Sequence, residues 1–87
     1  RYIELAQPSL AVQRGGKLRF RVLTDAARFS WTLSRAGGGV VDADARARPG
    51  VVIAQLPERV RPGRYVLEVA TNGHRDRAVV RVLRRGA

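Results

Sequence analysis

Apolar and polar residues alternate with a period of two along most of the chain, the signature of strands with one buried face. The alternation is clearest from Val60 to Leu83. Tyr65, Leu67 and Val69 interleave with Arg64, Val66, Glu68 and Ala70, and Ala78, Val80 and Val82 interleave with Arg77, Val79 and Arg81. Between the two runs stands Asn72-Gly73, the dipeptide best suited to the two positive φ angles of a type I′ turn. A two-residue turn there pairs Thr71 with His74, Val69 with Asp76, Leu67 with Ala78 and Tyr65 with Val80. In that register every inward position except Asp76 is apolar. A slip of one residue would send Arg77 and Arg81 into the core.

The same period extends upstream. Tyr2-Ile3-Glu4-Leu5 reads as a short strand broken by Pro8, with pairing resumed from Ser9 to Val12. Arg14-Gly15-Gly16 is a turn. Lys17 to Leu23 places Leu18, Phe20 and Val22 inside and Lys17, Arg19 and Arg21 outside. After a loop from Thr24 to Arg28, Phe29 to Ser34 places Phe29, Trp31 and Leu33 inside, with the sole tryptophan as a core anchor. Arg35 to Gly39 is a flexible loop. Val40 to Arg48 alternates charged residues with alanine and reads as an exposed strand. Pro49-Gly50 turns into Val51 to Leu56, a strand whose faces the pattern does not orient. Pro57 to Gly63 crosses to the hairpin. No segment carries a helical period. About seven short strands, with turn signals roughly every 8 to 12 residues, predict an all-β, two-sheet antiparallel sandwich. One such domain is expected over residues 1–84, with 85–87 a frayed terminus or linker.

A chain of 87 residues has room for one domain with a modest core. The absence of cysteine excludes disulfides and thiolate metal sites. No apolar run reaches the length of a transmembrane helix. The sequence opens on Arg1 and shows no signal-peptide pattern, so the chain is expected to be a piece of a longer protein. Charge changes the picture most. There are 17 basic residues against 7 acidic ones, a formal net charge of +10, and every basic residue except Lys17 is arginine. A GC-rich coding sequence would account for the arginines on compositional grounds; an anionic partner would account for them on functional ones.

Three features give the chain a family resemblance. Trp31 sits in the third strand, the stretch from Leu56-Pro57 to Pro62-Gly63-Arg64-Tyr65 leads into the penultimate strand, and Asn72-Gly73 joins the last two. Together they resemble bacterial immunoglobulin-like or fibronectin type III-like modules, and the approach to Tyr65 is also similar to macroglobulin-like and carboxypeptidase-regulatory-like β modules. The resemblance implies an immunoglobulin-like sandwich in which the Tyr65 hydroxyl bonds the backbone a few residues upstream. It also implies an accessory module of a larger bacterial protein, outside the cytoplasm in the periplasm or cell envelope.

Candidate chemistry is sparse. His74 and Asp76 are a His/Asp fragment, but a solvated hairpin tip is a poor place to hold a nucleophile, and no catalytic residue is assigned. Asp42 and Asp44 share a strand face and, with Asp25, could begin a calcium site, but six or more oxygens are needed and Arg46 and Arg48 stand beside them, so no metal is assigned. Gly37-Gly38-Gly39 lacks the Lys-Ser/Thr of a phosphate loop, so no cofactor is expected. The expected function is therefore non-catalytic: a spacer, or a docking domain for a protein or envelope polymer. The expected contact surface is the outer face of the last hairpin, Val66, Glu68, Arg77, Val79 and Arg81, where two valines point outward. The alternative is an electrostatic binder of polyanions, acidic polysaccharide or nucleic-acid backbone, through the row Lys17, Arg19 and Arg21, its members spaced about 7 Å apart. With only Tyr2 left outside among the aromatics, bases find no stacking platform, and sequence-specific nucleic-acid recognition is not expected. Oligomeric state is left open.

Overall fold

A computed structural model of the chain describes residues 2–86. They form eight strands: β1 (Ile3–Leu5), β2 (Ser9–Gln13), β3 (Lys17–Thr24), β4 (Phe29–Arg35), β5 (Val40–Ala47), β6 (Gly50–Gln55), β7 (Gly63–Thr71) and β8 (His74–Leu83). Two sheets pack face to face, one ordered β1-β3-β6 and the other β2-β8-β7-β4-β5. No helix is long and apolar enough to cross a membrane.

The β7–β8 hairpin has the expected register throughout, from Thr71 opposite His74 to Tyr65 opposite Val80. Asn72 and Gly73 hold φ angles of 45° and 83°, the two positive values a type I′ turn requires. The inward apolar residues of β3, β4, β7 and β8 are all buried, and with Ile3, Val12, Leu56 and Val60 they make one core between the sheets. Phe20 from the small sheet meets Trp31 from the large one edge to face, ring centroids 5.7 Å apart. The indole Nε1 finds no hydrogen-bond partner among the described residues. Leaving it unpaired costs about 1–3 kcal/mol. Burying a ring of about 200 Å² at about 25 cal/mol per Å² returns about 5 kcal/mol, so the anchor is net stabilising.

Two sequence expectations need correction. The strands number eight, not about seven, and the sheets are not wholly antiparallel. Pro8 divides the first strand between the two sheets: β1 runs antiparallel to β3, whereas β2 runs parallel to β8, with Ser9 opposite Val79 and Val12 opposite Val82. The changeover is secured on both sides, by Ala6 N donating to Arg21 O at 3.0 Å and Val79 N donating to Pro8 O at 2.9 Å. Alternation reports which face a residue takes, not which strand lies beside it, so the change of sheet leaves no trace in the pattern.

Asp76, the one misfit in the inward set, links the sheets. Its Oδ2 accepts from Leu5 N at 2.7 Å, on the side of β1 turned away from β3, and its Oδ1 accepts from Arg77 N at 2.9 Å. A backbone donor on an edge strand thus finds its partner in the facing sheet. At the remaining edges, β5 carries Asp42, Asp44 and Arg46, a charged edge that resists pairing with another chain. β6 carries no charge and exposes Val51 and Ile53.

Candidate functional site

The structure brings the expected hairpin surface together on the outer face of the five-stranded sheet. Val66 lies directly opposite Val79 and Glu68 opposite Arg77, while Arg81 faces Arg64. Val79 is exposed and Val66 half-buried. Arg77 Nε donates to Glu68 Oε2 at 2.7 Å, so that cation is already paired. The row Lys17, Arg19 and Arg21 is exposed on the outer face of the small sheet, where Arg19 and Arg21 flank the apolar Ile53 and Val51 of β6. The two surfaces lie on opposite faces of the sandwich. Tyr2 is exposed, whereas Phe20, Phe29, Trp31 and Tyr65 are buried.

His74 is exposed beside the hairpin turn, and Asp76 commits both oxygens to backbone amides. The aspartates of the calcium expectation are dispersed: Asp42 caps Ala43 N, Asp44 caps Arg46 N, and Asp25 accepts from Tyr2 N. Among the described residues no group of three or more His, Cys, Asp or Glu could hold a metal ion.

The densest charge lies elsewhere, and sequence reasoning missed it. An open cleft of about 690 Å³ at one end of the sandwich is lined by Arg14, Arg35, Arg61, Arg84 and Arg85, with Glu58 as the single carboxylate among the described residues. Four segments deliver these side chains: the β2–β3 turn, the end of β4, the β6–β7 connection and the residues after β8. Hydrogen bonds fix the backbone of the first three. Arg14 N donates to Leu83 O at 2.7 Å, prolonging the β2–β8 pairing, and Gln55 Nε2 donates to Gly15 O at 2.7 Å, pinning the turn to β6. Arg35 N donates to Gly39 O at 3.0 Å, closing the glycine loop. The β6–β7 connection is anchored by buried Leu56 and Val60, and the buried Tyr65 donates its hydroxyl to Arg61 O at 2.7 Å. That bond is the one the family resemblance implied, and here it fixes the backbone of a cleft arginine.

At the exposed rim of the cleft Arg85 and Arg14 both contact Glu58. Arg85 Nη2 is ion-paired to Glu58 Oε1, Arg85 Nε donates to Arg14 O at 3.3 Å, and Arg14 Nε donates to Glu58 O at 3.0 Å. The hydrogen bond from Arg85 holds the Glu58 carboxyl below its ordinary pKa of 4.5; desolvation opposes it, and the charges of Arg85 and then Arg14 lower it further. Gly15 makes this packing possible. Its φ is +72°, and a Cβ there would run into the Arg85 guanidinium and lie 2.8 Å from Glu58 Oε1. Among the described residues the guanidinium groups of Arg35, Arg61 and Arg84 have no hydrogen-bond or ion-pair partner. Unpaired cations held around an open concavity form an anion-attracting surface, and the planar guanidinium fork matches carboxylate and phosphate alike.

In class, then, the chain is a two-layer all-β sandwich with a basic cleft at one end. Comparison of the chain with known protein families and with curated proteins finds no match.

Proposed function

We propose that the chain is an immunoglobulin-like accessory module, without chemistry of its own, that docks a larger bacterial protein onto an anionic partner through the arginine cleft. The observation that carries this reading is the convergence of five arginines from four segments on one open concavity with one carboxylate among its described residues. The assignment to the immunoglobulin-like class draws support from the division of the first strand between the sheets, from Trp31 between the layers and from the Tyr65–Arg61 bond. The commitment of Asp76 to backbone amides supports a non-catalytic role, since it leaves His74 without an orienting carboxylate. An extracytoplasmic setting belongs to the reading through the family resemblance alone.

Salt-gradient elution from immobilised heparin tests it. The wild-type chain should elute well above physiological salt, because each guanidinium neutralising an anion contributes to the salt slope. Replacing Arg35, Arg61 and Arg84 by Gln should lower the elution salt more than replacing Lys17, Arg19 and Arg21. Elution of the wild type near physiological salt would refute the reading, and a larger effect from the Lys17 row would move the site to the outer face of the small sheet. The Val66–Val79 pair favours a second reading, protein docking through the face of the large sheet. Under it, Val66→Ser with Val79→Ser abolishes partner capture and leaves heparin retention unchanged; unchanged capture eliminates that face.

A further inference from the structure

The cleft already shows which anion it suits, and the inference that follows rests on the docking reading above. Glu58 is held at two points by two different arginines: its carboxylate by Arg85 and its own backbone carbonyl by Arg14 Nε, at 3.0 Å. The pair of groups recognised, a carboxylate and the main-chain carbonyl of the same residue, is what a glutamate in a peptide presents. A phosphodiester or a sulfated sugar offers the charge but not the amide carbonyl. The cleft also contains no aromatic side chain, so a nucleic acid would find no surface on which to stack its bases. Its volume of about 690 Å³ is far more than one carboxylate fills, and Arg35, Arg61 and Arg84 line it without partners among the described residues.

We infer that the cleft binds an acidic peptide segment of a protein partner, whose glutamates or aspartates pair with Arg35, Arg61 and Arg84, and that Glu58 is a resident carboxylate competing with that segment for Arg85. Glu58 then has two effects. In the empty cleft it offsets part of the repulsion among the guanidinium groups. Toward an arriving acidic segment it is a like charge at the rim and a rival for one of the forks. Its neutralisation therefore favours the ligand, whereas loss of the unpartnered arginines disfavours it.

The test uses a fluorescein-labelled octaglutamate peptide and fluorescence anisotropy at 0.15 M salt. Glu58→Gln should tighten binding about three- to tenfold, since it removes a charge–charge opposition near the surface while preserving shape. Arg35→Gln with Arg61→Gln should weaken binding tenfold or more. Amide shift perturbations on adding the peptide to the unaltered chain should centre on Arg14, Arg35, Glu58, Arg61 and Arg85, which checks the site without any variant. Equal or weaker binding by Glu58→Gln overturns the inference, as do perturbations centred on Lys17, Arg19 and Arg21. An octathymidylate strand bound as tightly as octaglutamate also overturns it. Retention on heparin with no octaglutamate binding defeats this inference and spares the docking reading; loss of heparin retention defeats the reading itself.

Discussion

Replacing Asp76 by alanine should destabilise the domain by about 2 kcal/mol, and the figure can be built from its two bonds. The Asp76 Oδ1 bond to Arg77 N is exposed, and water replaces it on truncation. The Oδ2 bond to Leu5 N, at 2.7 Å, is part-buried and charge-assisted. Bonds of that kind contribute about 1.5–3 kcal/mol, and losing the acceptor strands an edge-strand donor that β3 does not satisfy. In a domain of this size each kcal/mol moves Tm by about 4–8 °C, so the expected fall is about 10 °C by thermal unfolding. Asp76→Asn keeps a neutral acceptor and should lose about half as much. A competing explanation, that removing any carboxylate from a chain of net charge +10 adds to its self-repulsion, predicts equal losses for the two variants. It also predicts recovery at high salt, which shortens the Debye length from about 8 Å at physiological strength to about 3 Å at 1 M. The loss of a short local bond is far less sensitive to salt. Hydrogen exchange at the Leu5 amide gives a second reading and should accelerate in Asp76→Ala. A Tm change within about 2 °C, or identical salt-reversible losses in both variants, would refute the cross-sheet role.

Two further predictions follow from the cleft. Tyr65→Phe removes the 2.7 Å bond to Arg61 O without altering the ring, and should cost about 1 kcal/mol, or about 4–8 °C in Tm, while weakening heparin retention through the loosened Arg61 segment. The Glu58 carboxyl, titrated by NMR, should show a pKa below 4.5 that returns toward that value in Arg85→Ala. Because the folded-state value is the lower one, the Glu58–Arg85 contact is fully present above the ordinary glutamate range and is lost as pH falls through the lowered value. A wild-type titration indistinguishable from Arg85→Ala would show that the pair does not form in solution.

The hairpin and the inward faces of β3 and β4 were legible because two independent signals agree there. Asn72-Gly73 sets the register and the alternation sets the face, so Leu67 opposite Ala78 could be specified residue by residue. β6 was not orientable because its sequence has no polar residue between Gly50 and Gln55 to mark a face; in the structure Val51 and Ile53 turn outward and Ala54 inward. The parallel pairing of β2 with β8 was illegible for another reason: it is decided by which sheet edge is free to receive the chain after Pro8, a tertiary matter. The Glu68–Arg77 pair was foreseeable from the register, but the cleft was not, since Arg14, Arg35, Arg61 and Arg84 lie far apart in sequence and in segments read only as punctuation. A signal was nevertheless present. The strands β2, β4, β6 and β8 all end at the same end of the sandwich, and each carries arginine at its last residue or in the segment that follows. Counting strands as eight rather than about seven is what makes that parity visible.

The uncharged rim of β6 gives the molecule an unusual dependence on its surroundings. Two copies approaching through Val51 and Ile53 would bring Arg19 and Arg21 of each chain together, so mutual repulsion, rather than any charge within β6 itself, opposes pairing at this edge. Arg19→Gln with Arg21→Gln should therefore raise self-association in dilute salt, read by light scattering, whereas the unaltered chain should scatter as separate copies.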